Sequence, residues 1–395
     1  MSRSFVIQQK DILVLYYLMN KLPMTKYNWN IQLQDSPASS VEFTKKGSKQ
    51  IAVLMSGGVD SSVTAYLLKK QGWDVLGVTM IIPVSCGGGG DRSCCGADAA
   101  FVCNELEIPH KLIDVIEPFN ELIIDNFAKS YSKGETPNPC VDCNTTLKFS
   151  LVWNVVRENF GIENLATGHY ARISHSDNGA ILGRAKDKTK DQSYFLYGIL
   201  KENMDKIFFP LGELTKVEVR EIANESKLTV ADKSESMELC FAGQGDYRVV
   251  LDGEKADLPG DILDMEGNKI SVHKGIANYT LGQRQGIGYA GGKPLYVAKI
   301  DAKNNTISLG SREDISTKII KATKINILIP DEYIQEKQIF GKIRSYGHPL
   351  PCKIVSIDND TMTIEFDEPL FAPCPGQRMV LYNNEDNIVA GGVII

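Results

Sequence analysis

The apolar run Ile51–Met55 leads straight into Ser56-Gly57-Gly58-Val59-Asp60-Ser61-Ser62, and from Ser61 to Gln71 the residues Val63, Tyr66 and Leu67 recur at helical spacing. A buried strand, a double-glycine turn and a helix in immediate succession admit few folds, and point to the first βα unit of a layered α/β domain. Glycines let the backbone turn tightly and approach a ligand, amides at a helix start face an anion, and the serines add donors. The loop therefore predicts a phosphate site. No lysine follows the glycines, so it is not a Walker A loop, and its spacing is not that of a dinucleotide fingerprint. The bland alternative is a plain turn capped by Asp60 or Ser61.

Further along, strand and helix signals alternate. Trp73–Met80 reads as strand, Ala97–Leu106 as helix, Lys111–Val115 as strand, Pro118–Ser132 and Leu147–Asn159 as helices, and Asn164–Thr167 as strand. The fold class is thus α/β, a parallel sheet with helices on both faces. After about residue 250 the helical period disappears. Short runs such as Pro294–Ile300, Thr306–Leu309, Cys352–Ile357 and Thr361–Phe366 are punctuated by Asn, Asp, Gly and Pro, and Asp358-Asn359-Asp360 signals a hairpin. The expected organisation is an N-terminal extension (1–48), a catalytic α/β domain (49–245), a small connecting domain (246–305) and a C-terminal β-barrel (306–395). Ser36–Lys49, polar and aperiodic, reads as a linker.

The 395 residues carry a net charge of −6, with a local basic excess of seven Lys/Arg over three Asp/Glu in residues 1–50. A chain so balanced does not enclose nucleic acid by charge alone, so any RNA contact must be local. Ile12–Met19, the longest apolar run, is far short of the roughly 20 residues a membrane helix needs. Nine cysteines are too sparse for a disulfide scaffold, and an odd number cannot all pair within the chain. A reducing, cytoplasmic setting is expected, with no membrane partner.

Thr136-Pro137-Asn138-Pro139-Cys140-Val141-Asp142-Cys143-Asn144 sets two thiols three residues apart beyond a stiff double-proline turn, near a helix start that lowers a thiol pKa. The pair reads as redox or nucleophilic, as half of a metal or iron–sulfur site, or as two buried small hydrophobes. Cys240 in Met237–Gly243 reads as either an exposed thiol on a mobile segment or a buried one. Cys94 and Cys95, beside Gly87–Gly90, read as structural, as do Cys86, Cys103, Cys352 and Cys374. Gly168-His169-Tyr170 follows a parallel strand, where ligands collect, making His169 a candidate contact. Lys190-Asp191-Gln192-Ser193-Tyr194 concentrates polar groups, or simply caps a helix. A G-x-G-x-x-G at Gly286, Gly288 and Gly291 has no helix after it and reads as a loop between strands.

In their order along the chain, Ser56–Ser62, Thr136–Asn144, Thr167–Tyr170, Lys190–Tyr194, Leu239–Gly243, Tyr279–Gly288 and Pro375-Gly376-Gln377 resemble the tRNA-specific 2-thiouridylases, the MnmA family of ATP-pyrophosphatase-loop enzymes. The resemblance runs from about residue 50 to the end. It implies ATP-dependent 2-thiolation of the wobble uridine of tRNA: the uracil C2 oxygen is adenylated, and a sulfur nucleophile then displaces AMP. It places ATP and Mg²⁺ at Leu54, Met55, Ser56, Gly57, Gly58, Val59, Asp60 and Ser61, with Met80 and Gly168 bordering the nucleotide. Cys240 would carry a persulfide and Cys143 would be its catalytic partner, able to form a disulfide with it. Asn138, Pro139 and Cys140 would meet the target base, and His169, Lys190, Asp191, Gln192, Arg344 and Gln377 would contact tRNA.

The implied sulfur donor is a cysteine desulfurase or a sulfur-relay protein. Many members have Asp where this chain has Cys140, so Cys140, Cys143 and Cys240 could instead hold a four-iron four-sulfur cluster with one open iron. Two other readings fit the loop alone: a small-molecule ligase of the argininosuccinate or amidating type, which needs no thiols, and a nucleotide- or cluster-binding sensor.

Overall fold

The computed structural model describes residues 29, 31–36, 41–43, 49–83, 95–176, 179–235, 239–242, 247–251, 258–289, 291–329 and 338–395. The expectations for Ile12–Met19, Cys86, Gly87–Gly90 and Cys94 fall outside them.

Strands β1 (Leu33–Asp35), β2 (Gln50–Leu54), β3 (Asp74–Ile81), β4 (His110–Asp114) and β5 (Asn164–Thr167), with the later β8 (Ile207–Phe208), form one sheet in the order β1-β4-β3-β2-β5-β8. All its pairings are parallel except β1 with β4. Strand β2 shows why so apolar a run is needed. Ala52 and Leu54 join one buried cluster while Ile51, Val53 and Met55 join another, so both faces of the sheet are covered. The helices Val59–Lys70 and Cys95–Glu105 follow β2 and β3.

The sheet departs from the sequence reading at its edge. Residues before 49, expected as an appendage, supply β1, which pairs with β4. The same segment packs Phe43 edge-on to Phe160 at 5.4 Å and bonds the Trp29 indole to Glu121 at 2.8 Å. Three residues are too few for alternation to show, and it is the open edge of β4 that orders them.

A hairpin of β6 (Ala171–Ser176) and β7 (Gly179–Arg184) follows β5. Beyond it, β9 (Gly260–Leu263), β10 (Lys269–His273), β11 (Tyr296–Asp301) and β12 (Thr306–Gly310) make a four-stranded sheet. Strand β12 was expected in the barrel but pairs with β11 and β9. The turn after Asp301, with Asn305 at φ 52°, joins two strands of one sheet instead of marking a boundary. The glycines of the G-x-G-x-x-G lie in irregular chain ahead of β11, with no helix after them. A closed barrel ends the chain: β13 (Ser316–Ile327), β14 (Ile339–Lys342), β15 (Leu350–Asp358), β16 (Thr361–Phe371), β17 (Arg378–Tyr382) and β18 (Ile388–Ile394), around a core of its own. Closure leaves it no free edge. Among the described residues no helix is long and apolar enough to cross a membrane.

Candidate active site

The candidate phosphate loop leaves the amides of its helix start without a side-chain cap from Gly58. Gly57 takes φ 70°, and Gly58, the residue before the first helical turn, has no side chain to cap it. The serines fold inward instead: Ser61 Oγ donates to the Gly58 carbonyl at 3.2 Å and lies 3.2 Å from Ser56 Oγ, while Ser62 Oγ donates to Gly58 at 2.8 Å. Val59 is buried behind them, as are Leu54 and Met55; Met80, half-buried, lies near the end of neighbouring β3. Asp60 Oδ1 accepts from Tyr170 Oη at 2.8 Å and from Lys216 Nζ at 2.7 Å. Lys233 Nζ bonds the Gly57 carbonyl at 2.9 Å and also Asp98. Two cations beside an uncapped helix start suit a polyphosphate.

Gly168 is pressed against this loop. A Cβ added there would lie 2.8 Å from the backbone of Asp60 and Ser61, so no larger residue fits unless the loop withdraws. The next residue, His169, bonds Thr167 Oγ1 through Nδ1 at 2.6 Å and packs against the Phe149 and Phe209 rings. Burial holds its pKa well below the usual range, and the charge of Lys148 adds to this, so the ring is neutral.

The thiols are carried by two other segments. The helix expected from Leu147 begins at Pro139, because Asn138 Oδ1 accepts from the Val141 amide at 3.4 Å and proline suits a first helical position. It continues through Pro139–Asp142, Cys143–Val152 and Trp153–Phe160, the middle stretch in wider turns. Cys140 is thus exposed in the first turn and Cys143 is buried just after it. Cys240 is exposed on the short turn Leu239–Ala242, whose Phe241 anchors it edge-on against Phe127 (5.3 Å) and Phe119 (6.1 Å).

Burial pushes all three thiols up, Cys240 to about 12, and the charge of Lys148 pulls all three down. One ammonium that acts on Cys140, Cys143, Cys240 and His169 gathers them into one electrostatic neighbourhood. Among the described residues no three His, Cys, Asp or Glu side chains are arranged to hold a metal ion.

The remaining candidates divide. Lys190 pairs with Glu235 at 2.8 Å, which also binds Lys216 at 3.1 Å, so it joins the ion-pair network that reaches Asp60. Asp191 is bonded within the fold. Its carboxylate, 2% exposed, accepts from Arg184 at 2.9 Å and from the Ala185 and Ser193 amides. Gln192 Oε1 accepts from the Tyr170 amide at 3.0 Å, bracing the segment that carries His169. Arg344 is exposed on the barrel, with one nitrogen on the Ala372 carbonyl at 2.8 Å. Gln377 faces the proline turn, bonding the Pro137 carbonyl at 3.4 Å.

Sequence reading missed Lys148, Tyr170 as the partner of Asp60, Lys216 and Lys233. Only Lys216 had a local sign: Thr215 and Glu218 form a capping box that fixes its helix start, Thr215 Oγ1 accepting the Glu218 amide at 3.3 Å. The others depend on long-range packing.

Three family models match: the tRNA methyl transferase HUP domain at residues 49–244, the tRNA methyl transferase PRC-barrel domain at 249–311 and the aminomethyltransferase beta-barrel domain at 317–395. The tRNA-specific 2-thiouridylase MnmA of Rickettsia felis is 41% identical over 358 residues, covering 88% of this chain and 98% of its own. Those of Trichormus variabilis (38% over 352 residues; 88% and 98%) and Nostoc punctiforme (39% over 352; 88% and 99%) are similarly related. Among solved structures, the U34-tRNA thiolase NcsA from Methanococcus maripaludis with its [4Fe-4S] cluster overlaps at TM-score 0.33 and 22% identity, over 52% of this chain and 65% of that one. That likeness is too slight to transfer a ligand.

Proposed function

The chain belongs to the tRNA-specific 2-thiouridylase family, and from that premise we propose that it replaces the C2 oxygen of the wobble uridine of tRNA with sulfur at the expense of ATP. The observation that carries the reading is the Gly168–His169 link. It presses on the start of the phosphate-loop helix at one residue and shares the Lys148 charge with all three thiols at the next.

The uncapped amides after Gly58, with Lys216 and Lys233, hold the triphosphate. Mg²⁺ usually takes one or two carboxylates besides phosphate and water, and Asp60 is the loop carboxylate placed to serve; the ion would neutralise charge on the departing pyrophosphate. The uracil C2 oxygen attacks the α-phosphorus, the α–β bridge breaks, and pyrophosphate leaves. Cys240, exposed and so open to loading, carries the sulfur as a persulfide taken from a cysteine desulfurase or a sulfur-relay protein. Its terminal sulfur adds at C2, AMP departs with the original oxygen, and Cys143 attacks Cys240 to free that sulfur, leaving a disulfide that an external thiol reduces. The neutral His169 ring donates or accepts a hydrogen bond without competing with Lys148 for negative charge. Asn138, Pro139 and Cys140 face the base, and Arg344 with Gln377 extends the tRNA contact onto the barrel.

The test is purified protein with ATP, a loaded sulfur donor and an unmodified tRNA. The reading expects 2-thiouridine by mass spectrometry, with AMP and pyrophosphate released in equal amounts. AMP release that needs a small amine or acid substrate, and survives Cys143→Ser with Cys240→Ser, would identify a ligase. ATP binding without turnover would identify a sensor.

A further inference from the structure

The barrel reaches into the thiol turn at several points. Thr136 donates its amide to the Pro375 carbonyl at 2.8 Å, and Gln377 bonds Pro137. Gly376, at φ 88°, lies so near that a Cβ would sit 3.2 Å from the Thr136 backbone. At the centre is Arg378, the first residue of β17, with its side chain 7% exposed. Its Nη2 bonds the Asp142 carboxylate at 2.5 Å, its Nη1 bonds the Gly376 carbonyl at 2.6 Å, and its Nε is buried without a partner among the described residues. Asp142 lies in the same helical turn as Cys140 and directly precedes Cys143.

A guanidinium buried with one donor unmet is costly, and an apolar side chain in such a place commonly gives equal or greater stability. Its directional bonds do something packing cannot: they fix the angle and depth at which the barrel meets the first turn of the helix. Tyr194, fully buried, bonds the Arg378 carbonyl at 2.7 Å and ties the same point to the catalytic domain. We propose that Arg378 is a positioning residue for sulfur transfer, holding the Cys140–Cys143 turn in place through Asp142 so that the barrel sets the geometry of the thiols.

This rests on the thiolation reading, and the experiment separates the two. Thiolation is measured with saturating ATP and varied tRNA, alongside labelling of Cys143 by a thiol reagent, which needs no turnover. Arg378→Met is expected to lower kcat about tenfold or more, on the scale that small misplacements cost. The KM for tRNA should stay within about twofold, Cys143 should label faster, and Arg378→Lys, which keeps one bond to Asp142, should restore part of each. Asp142→Ala cuts the contact from its more exposed end, so it keeps the test open if Arg378→Met does not fold; the double variant should be no worse than the poorer single one. A raised KM with unchanged kcat, singles that multiply in the double variant, or Cys143 labelling unaffected in both variants would overturn the proposal. A wild-type chain that makes no thiouridine would instead overturn the functional reading, leaving the labelling cycle to judge Arg378.

Discussion

Gly168→Ala is the smallest change that probes the junction between phosphate loop and thiols. The added methyl would lie 2.8 Å from backbone atoms of Asp60 and Ser61, where ordinary contact begins at 3.4 Å. The loop must therefore retreat by about 0.6 Å, or the β5 end must bend away by as much. Overpacking of this kind costs about 1–3 kcal/mol of stability. A misplacement of about 1 Å at a reacting group can cost about 10²-fold in rate, so a shift somewhat over half that size is expected to lower kcat/KM for ATP by about tenfold. Melting followed by calorimetry reads the first effect, and initial rates of AMP release at varied ATP read the second. A Gly168→Ala protein with wild-type melting and a wild-type kcat/KM for ATP would refute the argument, because it would show that the segment does not press on the loop.

Asp191→Ala removes one of the two carboxylates that pair with buried Arg184, Asp386 being the other, so it should lower stability by about 1–3 kcal/mol and leave the tRNA affinity of the folded protein unaltered; weaker tRNA binding at unchanged melting temperature would restore Asp191 as a contact. His110 is buried, its pKa pushed down to about 4, so the unfolded chain takes up its proton first as pH falls. Its contribution is complete above about pH 6.5 and is lost by about pH 4, roughly 3 kcal/mol in all. Chemical denaturation across that range should show a decline that His110→Gln flattens; an identical decline in the variant would assign it to other groups. The Cys240 thiol, pushed up to about 12, should react with iodoacetamide at a rate still rising at pH 10, whereas a plateau near pH 8 would show that a thiolate is already stabilised at rest.

The phosphate loop and parallel sheet were legible because they are local: an apolar pentad, two glycines and a helical period lie within about twenty residues, and both faces of β2 are buried as such a run demands. The helix start at Pro139 was misplaced, although Asn138 and Pro139 spell a capped beginning, because the polar residues after Cys143 carry no apolar period until Leu147. Strand β1 is ordered by an edge that sequence does not display. The polar series Lys190–Tyr194 read as a cluster of polar groups or a helix cap, and Asp191 does accept the Ser193 amide, but its pairing with Arg184 is defined only once β7 turns back on β6. Lys148 and Arg378 were invisible for the same reason, since each matters through what it faces across the fold.

The central claim, that a transferable sulfur on Cys240 lies within reach of a base activated at the phosphate loop, is tested most directly by mass spectrometry of the loaded protein. After incubation with a sulfur donor, the peptide bearing Cys240 should gain one sulfur atom. That atom should pass to tRNA only when ATP is added, leaving a Cys143–Cys240 disulfide. Sulfur that stays on Cys240 while thiouridine accumulates, or that passes to tRNA equally well in Cys143→Ser, would contradict the account.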